Sequence, residues 1–285
     1  MLFVVDDLLM ATKITTEEST LKLAVLIDAD NARAAIIEGL LTEIASYGEA
    51  IVRRIYGDFT SPSSVQWKKV LHKHAIKPVQ QFAFTTGKNA TDSALIIDAM
   101  DLLYTHRFDG FCIVSSDSDF TSLANRIREE GLQVFGFGEK KTPEAFRNAC
   151  NKFIFTEILS PVAKVYEPTT SKSLKKNTTP VKLIKDTESL AQEFPKDFVL
   201  EALNNSYDDT GWAYIGTFGG YLTKLKPDFD SRLYGFKKLS DLVRGKPDIF
   251  ETEEKVHPSS GTKALYLRGK TDHKESIDGE NKISI

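Results

Sequence analysis

The strongest constraint on the fold is the alternation of apolar runs with helical patterns between residues 21 and 160. The runs Leu23–Ile27 and Phe111–Val114 are apolar at every position. Strands that are buried on both faces have this composition, and parallel sheets covered by helices provide that environment. We therefore predict a doubly wound α/β domain with a central parallel sheet. The other predicted strands lie at 51–56, 76–80, 132–137 and 153–155, and the predicted helices lie at about 32–47, 62–74, 92–105, 119–130 and 143–150.

A change of composition divides the chain of 285 residues, a length that suits about two domains. Residues 161–187 hold six lysines against two acidic residues, have no apolar periodicity and predict a flexible linker. A smaller second domain is predicted at 188–269, and it ends with a strand at Lys263–Arg268. Residues 270–285 are polar and predict a disordered tail, while residues 1–20 form an N-terminal appendage without an assigned role.

The amino-acid composition indicates the cellular compartment of the protein and excludes several classes of fold and metal site. A formal net charge of -3 gives no overall basic character, so contacts with nucleic acid depend on local patches. The two cysteines, Cys112 and Cys150, form no CxxC pair and indicate buried thiols, which excludes a disulfide scaffold and a cysteine-based zinc site. No apolar run approaches the roughly 20 residues that span a bilayer. We expect a cytoplasmic protein without a membrane partner.

Acidic residues follow both of the most apolar strands. Asp28 and Asp30 come directly after the first of them, and Asp117 and Asp119 follow the second. Residues two apart in an extended chain point to the same side, so each pair can face one point. Open α/β sheets bind ligands beyond the carboxyl ends of their strands, where the strand order reverses. If the two strands are neighbours, the two pairs form one acidic pocket.

A third acidic residue of interest belongs to a predicted helix. Asn89 or Thr91 is suited to cap that helix, which puts Asp92 in its first turn. At about 100° per residue, Asp92 lies on the apolar stripe that faces the sheet. Asp98 and Asp101 fall off that stripe and are expected to be solvated. Asp92 is therefore expected over the same pocket as the two pairs.

Several carboxylates in one place repel one another unless a cation binds or some of them are protonated. Mg²⁺ and Mn²⁺ are hard cations that proteins bind through carboxylates and retained waters. Such an ion can generate a nucleophilic hydroxide and stabilise in-line displacement at phosphorus, which indicates phosphodiester hydrolysis. The competing interpretation is structural, because aspartate after a strand is also a common turn former or helix cap. The convergence of Asp28, Asp92, Asp117 and Asp119 favours the site.

Three blocks of sequence stand in order and at suitable spacing: Leu26–Asn31, Lys88–Asp92 with Ile97–Asp101, and Val114–Phe120. They resemble the signature blocks of NYN domains, which are PIN-like nucleases, in the LabA/DUF88 branch. The resemblance covers residues 21–160 and implies a PIN-like Rossmannoid fold, an acidic metal site and RNA cleavage. The motif match implies that Asp28, Asp92, Asp117 and Asp119 are metal or water ligands, that Asn31 orients the site, that Lys88 contacts phosphate or is a loop lysine, and that the role of Asp30 is open.

The second domain contains a basic segment with interleaved aromatic residues at 221–246. Asp230 or Ser231 can cap a helix whose apolar residues run from Leu233 to Val243, with Gly245 as its end. Basic side chains then lie on the exposed face, which suits contacts with phosphate, although a solvated lysine face has the same charge pattern. The basic side chains that we assign to RNA contact are Lys224, Lys226, Arg232, Lys237 and Lys238.

Four blocks of the second domain are Gly211–Ile215, Leu222–Leu225, Pro227–Asp230 and Tyr234–Leu242. They resemble an OST-HTH, or LOTUS, domain over residues 190–268. The resemblance implies a winged helix-turn-helix with single-stranded or structured RNA as its ligand, although some members bind proteins instead. NYN and LOTUS modules commonly occur together, so each resemblance supports the other. The oligomeric state stays open.

Two other functions compete with a ribonuclease. Ile27–Asp30 imitates the DxD motif of HAD-type phosphatases, in which Asp28 would be the nucleophile, and Ser116–Asp119 imitates their later acidic motif. Asn31 departs from that motif, and Asp92 within a capped helix has no place in it. The third interpretation is an RNA-binding scaffold with a vestigial acidic site, which would bind RNA without metal-dependent turnover.

Overall fold

The computed structural model describes residues 20–60, 65–82, 90–160, 193–256 and 261–270. The predicted linker at 161–187 and Lys88 lie outside the described residues, and so do the predicted appendage and tail except for residues 20 and 270. Within the described ranges no helix is long and apolar enough to cross a membrane.

Parallel strands form the central sheet of the first domain. They are β1 (Lys22–Asp28), β2 (Glu49–Gly57), β3 (Lys77–Gln80), β4 (Gly110–Val114), β5 (Gln133–Gly138) and β6 (Lys152–Phe155). Their order across the six-stranded sheet is β3-β2-β1-β4-β5-β6. The predicted α/β class with a central parallel sheet is confirmed. The helices of this domain are α1 (Ile37–Ile44), α2 (Val65–Lys73), α3 (Ala90–Leu103), α4 (Thr121–Glu129) and α5 (Glu144–Ala149).

Alternate residues of β1 face opposite sides of the sheet, which explains the unbroken apolar sequence of this strand. Ala24 and Leu26 belong to the core layer that α3, α4 and α5 cover. Leu23, Val25 and Ile27 belong to the layer that α1 and α2 cover. All five side chains are fully buried. Burial of an aliphatic side chain stabilises the fold by roughly 1.5–3 kcal/mol, so both layers hold the end of β1 in place.

The second domain combines short helices with an antiparallel sheet. Its helices are α6 (Lys196–Asn204), α7 (Ile215–Leu225) and α8 (Leu239–Arg244). Its strands are β7 (Ala213–Tyr214), β8 (Phe250–Val256) and β9 (Lys263–Gly269), in the order β7-β9-β8. Helices and sheet share one apolar core. This arrangement agrees with a small winged helix-turn-helix, and the predicted strand at Lys263–Arg268 is confirmed.

The prediction of one helix from Leu233 to Val243 is wrong. A 3₁₀ turn at Ser231–Tyr234 is separated from α8 by Gly235, whose φ of 84° lies in the left-handed region. Glycine adopts this conformation at little cost because it has no Cβ, and it ends the turn. The predicted cap is confirmed, since the Asp230 carboxylate accepts a hydrogen bond from the backbone N–H of Arg232 at 2.9 Å.

The second domain lies against the edge strand β6 of the first. The backbone N–H of Phe153 donates to the carbonyl of Pro227 at 2.9 Å, which covers part of an otherwise open sheet edge. Arg147, in the last turn of α5, forms an ion pair with Asp228, whose side chain is only 6% exposed. Leu233 is buried in the core layer that α3, α4 and α5 cover. Backbone, charged and apolar contacts therefore hold the two domains together.

A second ion pair completes this domain contact, which we define as residues 227–234 and their partners on the first domain. Arg232 donates to both carboxylate oxygens of Glu43, at 2.7 and 2.9 Å, and it also binds Asp230. Glu43 lies near the end of α1, the helix that leads from the carboxyl end of β1 to the amino end of β2. The domain contact therefore lies at the amino end of the sheet.

Candidate functional site

The predicted acidic residues lie at the opposite, carboxyl end of the sheet. There β1 pairs with β2 on one side and with β4 on the other, and Ile27 lies opposite Val114. The strand order reverses at this point, since chain order runs outward from β1 in one direction and from β4 in the other. Asp28 and Asp117 therefore follow neighbouring strands, which meets the condition for one acidic pocket, at the place where open α/β sheets bind ligands.

Asp28 is the buried centre of this site. It is 0% exposed. Its Oδ1 accepts hydrogen bonds from the backbone N–H groups of Asp30 at 2.9 Å and Asn31 at 3.3 Å. Its Oδ2 accepts from the side-chain amide of Asn31 at 2.7 Å and from the hydroxyl of Ser115 at 2.8 Å. These four donors compensate the buried charge and join the loop after β1 to the loop after β4.

Ser115 is a residue of the site that the sequence reasoning missed. Its hydroxyl donates to Asp28 and accepts a hydrogen bond from the backbone N–H of Asp117 at 3.0 Å. It is 1% exposed, so it links the two acidic loops from within. The available signal was a polar residue directly after an entirely apolar strand, two positions before Asp117.

Three further carboxylates converge at this end of the sheet. Ligand oxygens of Asp92, Asp117 and Asp119 lie within 4.8 Å of one another, and Asp28 does not belong to this group. Asp92 lies in the first turn of α3. Asp117 caps the 3₁₀ turn after β4, since it accepts a hydrogen bond from the N–H of Asp119 at 2.9 Å. Asp92 and Asp117 are half-buried and Asp119 is exposed, so the group opens to solvent at Asp119.

The crowding of negative charge changes the acidity of these groups. Burial raises the pKa of Asp92 to about 6, together with the charges of neighbouring carboxylates, Asp28 foremost. Burial and the charge of Asp28 also raise the pKa of Asp30, and a hydrogen bond from Thr91, which lies inside α3, opposes that shift. In the part of the chain that the structure describes, no lysine or arginine forms an ion pair with Asp28, Asp92 or Asp117. A bound cation would relieve this repulsion.

The donor set suits a hard divalent cation. All three converging side chains offer carboxylate oxygens, which are the ligands that Mg²⁺ and Mn²⁺ prefer. Oxygens within 4.8 Å of one another can share one ion directly or through its bound waters. The residues present therefore fit the cation that the sequence predicts.

Asp98 is not solvated, and its contacts correct that prediction. Arg54 and Tyr56, on β2, both bind it: Nη1 of Arg54 donates to Oδ1, and the hydroxyl of Tyr56 donates to Oδ2. The side chains of Arg54 and Asp98 are only 24% and 23% exposed. Side chains of β2 extend beside the apolar stripe of α3, so a position off that stripe is covered as well. Asp101 is exposed, as predicted.

Some of the basic side chains predicted to contact RNA are engaged by other groups of the protein or half-buried, and the others are exposed to solvent. Arg232 is bound by Glu43 and Asp230, so its guanidinium is engaged in the domain contact. Lys226 is half-buried, with its ammonium 5.8 Å from the ring centroid of Phe198. The predicted basic side chains that are exposed on the second domain are Lys224, Lys237 and Lys238.

Comparison with known families matches both domains. Residues 22–160 match the family model of the NYN domain, and residues 191–261 match that of the OST-HTH/LOTUS domain. Both resemblances seen in the sequence are confirmed. No curated protein matches the chain.

Three solved structures are similar to parts of the chain. A solution NMR structure of an uncharacterized protein from Nitrosomonas europaea is 51% identical and covers 36% of this chain and 97% of its own, with a TM-score of 0.29. A crystal structure of a protein of unknown function from Vibrio parahaemolyticus is 19% identical and covers 48% and 93%, with a TM-score of 0.40. A solution NMR structure of a protein from Chromobacterium violaceum is 27% identical and covers 32% and 96%, with a TM-score of 0.24.

Proposed function

Because the chain belongs to the NYN domain family and carries an OST-HTH/LOTUS domain, we propose that it is a ribonuclease that hydrolyses RNA phosphodiester bonds with a divalent metal ion. The observation that carries this proposal is the convergence of Asp92, Asp117 and Asp119 within 4.8 Å. The group lies where open α/β sheets bind ligands, at the carboxyl ends of neighbouring central strands. Fold and chemistry therefore support the same activity.

The three converging carboxylates would hold Mg²⁺ or Mn²⁺. Such an ion lowers the pKa of a bound water and stabilises the charge that develops on phosphate oxygens. Asp119 is exposed, so a phosphodiester can approach the group from its side. With a pKa of about 6, Asp92 is mostly ionised at neutral pH and can act as a ligand there.

Asp28 supports the site from beneath the protein surface. Its negative charge raises the pKa of Asp92, so the same charge attracts a cation to the group. Its hydrogen bonds from Asn31 and Ser115 hold the loops after β1 and β4 together. We therefore assign Asn31 and Ser115 to the orientation of Asp28.

Exposed lysines of the second domain are proposed to bind RNA phosphates. Lys224, Lys237 and Lys238 present ammonium groups to solvent, and Lys226 adds a half-buried one. Lysine contacts with phosphates supply affinity and orientation but do not read sequence. The second domain would therefore hold RNA on the enzyme. Lys88, for which the motif match implies a phosphate contact or a loop position, lies outside the described residues.

The cysteines support a cytoplasmic location. Cys112 and Cys150 are both free and buried. Unpaired thiols are typical of a reducing compartment. Burial raises the pKa of Cys112, which also makes it a poor nucleophile.

A HAD-type phosphatase is less compatible with the site. Its nucleophilic aspartate has to present an oxygen to phosphorus, whereas Asp28 is fully buried and both of its oxygens accept hydrogen bonds. Asp92, on a helix, belongs to the converging carboxylate group and has no counterpart in that mechanism. The burial and hydrogen bonding of Asp28 therefore favour attack by water over an aspartyl-phosphate intermediate.

The proposal is tested with labelled single-stranded RNA and the full chain, in Mg²⁺, Mn²⁺ or EDTA. We expect metal-dependent cleavage that falls on the order of 1000-fold in the Asp117→Asn/Asp119→Asn variant. The matched control is Glu129→Gln/Glu130→Gln, which removes the same charge at the far end of α4. It should retain cleavage. RNA binding without cleavage in either metal would contradict the proposal and support the scaffold interpretation.

A further inference from the structure

We propose that Arg54, Tyr56 and Asp98 are positioning residues that set the place of Asp92 in the metal site, an inference that rests on the proposed function. Arg54 and Tyr56 belong to β2, the strand next to β1. Asp98 belongs to α3, the helix that carries Asp92. The three side chains therefore connect the sheet that carries Asp28 to the helix that carries Asp92.

Tyr56 is in contact with both parts of the site. Its backbone carbonyl accepts a hydrogen bond from the N–H of Ala29 at 2.9 Å, and it lies opposite Asp28 in the pairing of β1 with β2. Its hydroxyl donates to Asp98. Burial and this hydrogen bond raise the pKa of Tyr56, so the hydroxyl stays protonated and keeps donating. One fully buried residue thus links the loop at Asp28 to α3.

Apolar packing alone does not fix α3 along its axis. Leu95 and Ala99 are fully buried against the sheet, but the hydrophobic effect is non-directional. A carboxylate that an arginine holds on one oxygen and a hydroxyl on the other has a defined geometry. Asp92 and Asp98 lie on one helix, about 9 Å apart along its axis. Fixing Asp98 therefore fixes Asp92.

The position of Asp92 matters because the other two members of the carboxylate group come from a different element. Asp117 and Asp119 lie in the loop after β4, and α3 has to bring Asp92 to them. Loss of residues that orient metal ligands typically lowers metal affinity by about 10- to 100-fold. The three positioning residues should therefore act on metal affinity without touching the metal.

The test measures Mn²⁺ binding to the full chain by isothermal titration calorimetry, without RNA. Arg54→Gln is the decisive variant, because the loss of its charge and the loss of its positioning role should change Mn²⁺ affinity in opposite directions. Removal of a positive charge near a cation site tightens Mn²⁺ binding if only Coulomb forces act. Displacement of Asp92 weakens it. We expect Mn²⁺ affinity to fall by about tenfold.

Arg147→Gln is the matched control. Arg147 also pairs with one aspartate and is 23% exposed, against 24% for Arg54, but it lies at the other end of the sheet. This control should lower the thermal stability of the protein to a similar degree and leave Mn²⁺ affinity unchanged. Tyr56→Phe removes one hydroxyl and no charge, so it tests position even if Arg54→Gln does not fold. It should weaken Mn²⁺ binding by about threefold.

Unchanged or tighter Mn²⁺ binding in Arg54→Gln and Tyr56→Phe overturns the positioning role and leaves the ribonuclease proposal intact. Weaker binding in these two variants and not in Arg147→Gln supports it, because the stability loss is shared and the affinity loss is not. Failure of the wild-type chain to bind Mn²⁺ overturns this inference together with the proposed function.

Discussion

Carboxylates gather at both ends of the six-stranded sheet, and the two groups differ in the charges that surround them. At the carboxyl end, burial and neighbouring carboxylates raise the pKa of Asp92 to about 6. At the amino end, burial acts to raise the pKa of Glu43, but hydrogen bonds from Arg232 and Tyr47 outweigh it and lower that pKa. Folding therefore disfavours the ionised form of Asp92 at the carboxyl end and favours the ionised form of Glu43 at the amino end.

This difference separates a structural role from a reactive one. A partly buried carboxylate that receives two hydrogen bonds from one guanidinium strengthens a contact between domains. Carboxylates that crowd together cost folding free energy, and proteins concentrate such perturbed groups at functional sites. Asp92 and Glu43 thus illustrate how the partners of a carboxylate, rather than its burial alone, indicate its role.

The largest effect is expected from the removal of one charge at the carboxyl end. Asp92→Asn should lower Mn²⁺ affinity by about 100-fold, because it replaces a proposed ligand. The same change relieves repulsion, so the metal-free protein should gain about 1 kcal/mol in its free energy of unfolding, a figure reduced for solvent screening of a half-buried group. Calorimetry with Mn²⁺ and urea unfolding without metal measure the two effects.

Asp101→Asn is the control for this prediction, since Asp101 is exposed on the same helix. It should change neither Mn²⁺ affinity nor the free energy of unfolding appreciably. A loss of metal-free stability in Asp92→Asn would show that this carboxylate is not repelled by its neighbours. The contrast between the two ends of the sheet would then fail.

At the amino end, removal of a charge should lower the free energy of unfolding instead of raising it. Arg232→Met leaves Glu43 and Asp230 without their cation and should lower the free energy of unfolding by about 2 kcal/mol. A double-mutant cycle with Glu43→Gln should give a coupling of about 1 kcal/mol in urea unfolding. The exposed pair Arg268–Glu251 should couple more weakly. A coupling near zero for Glu43 and Arg232 would show that this ion pair does not hold the domain contact.

The outline of the site was predictable because Asp28, Asp117 and Asp119 follow apolar strands and Asp92 lies on the apolar stripe of a helix. The unbroken apolar composition of β1 and β4 indicated strands buried on both faces. Their pairing in the sheet then puts Asp28 and Asp117 at adjacent strand ends. The helical stripe of α3 placed Asp92 over the same end. The convergence of Asp92, Asp117 and Asp119 agrees with that reasoning, whereas Asp28, which the reasoning also counted as a ligand, is not part of the group.

The partners of individual charges were not predictable, because they come from distant segments. Periodicity within α3 placed Asp98 off the apolar stripe, but nothing in that segment indicates that Arg54 of β2 reaches it. The same holds for Arg232 and Glu43, which belong to different domains. Gly235 was visible in the sequence, yet the apolar spacing on both sides of it resembled one continuous helix. Only tertiary contacts separate a solvated charge from a paired one.

The smallest expected effect is the pH dependence of the stability of the metal-free protein. Its sign should differ between the carboxylates at the two ends of the sheet. Folding raises the pKa of Asp92 from 3.8 to about 6, so it favours the protonated form. The contribution of Asp92 to stability is therefore fully present below its unfolded pKa and is lost as pH rises through about 6. Folding lowers the pKa of Glu43 from 4.5, so its contribution is present above that value and is lost as pH falls through the lower folded pKa.

Urea unfolding of the metal-free wild type, Asp92→Asn and Glu43→Gln across this pH range separates the two contributions. The gain from Asp92→Asn should be greatest at neutral pH and should shrink on acidification, because wild-type Asp92 then becomes protonated. The loss from Glu43→Gln should also be greatest at neutral pH, but with the opposite sign, since only ionised Glu43 attracts Arg232. Both variants should approach the wild type in acid, one from above and one from below. Two curves on the same side of the wild type would contradict the difference between the two ends, because one charge environment would then account for both carboxylates.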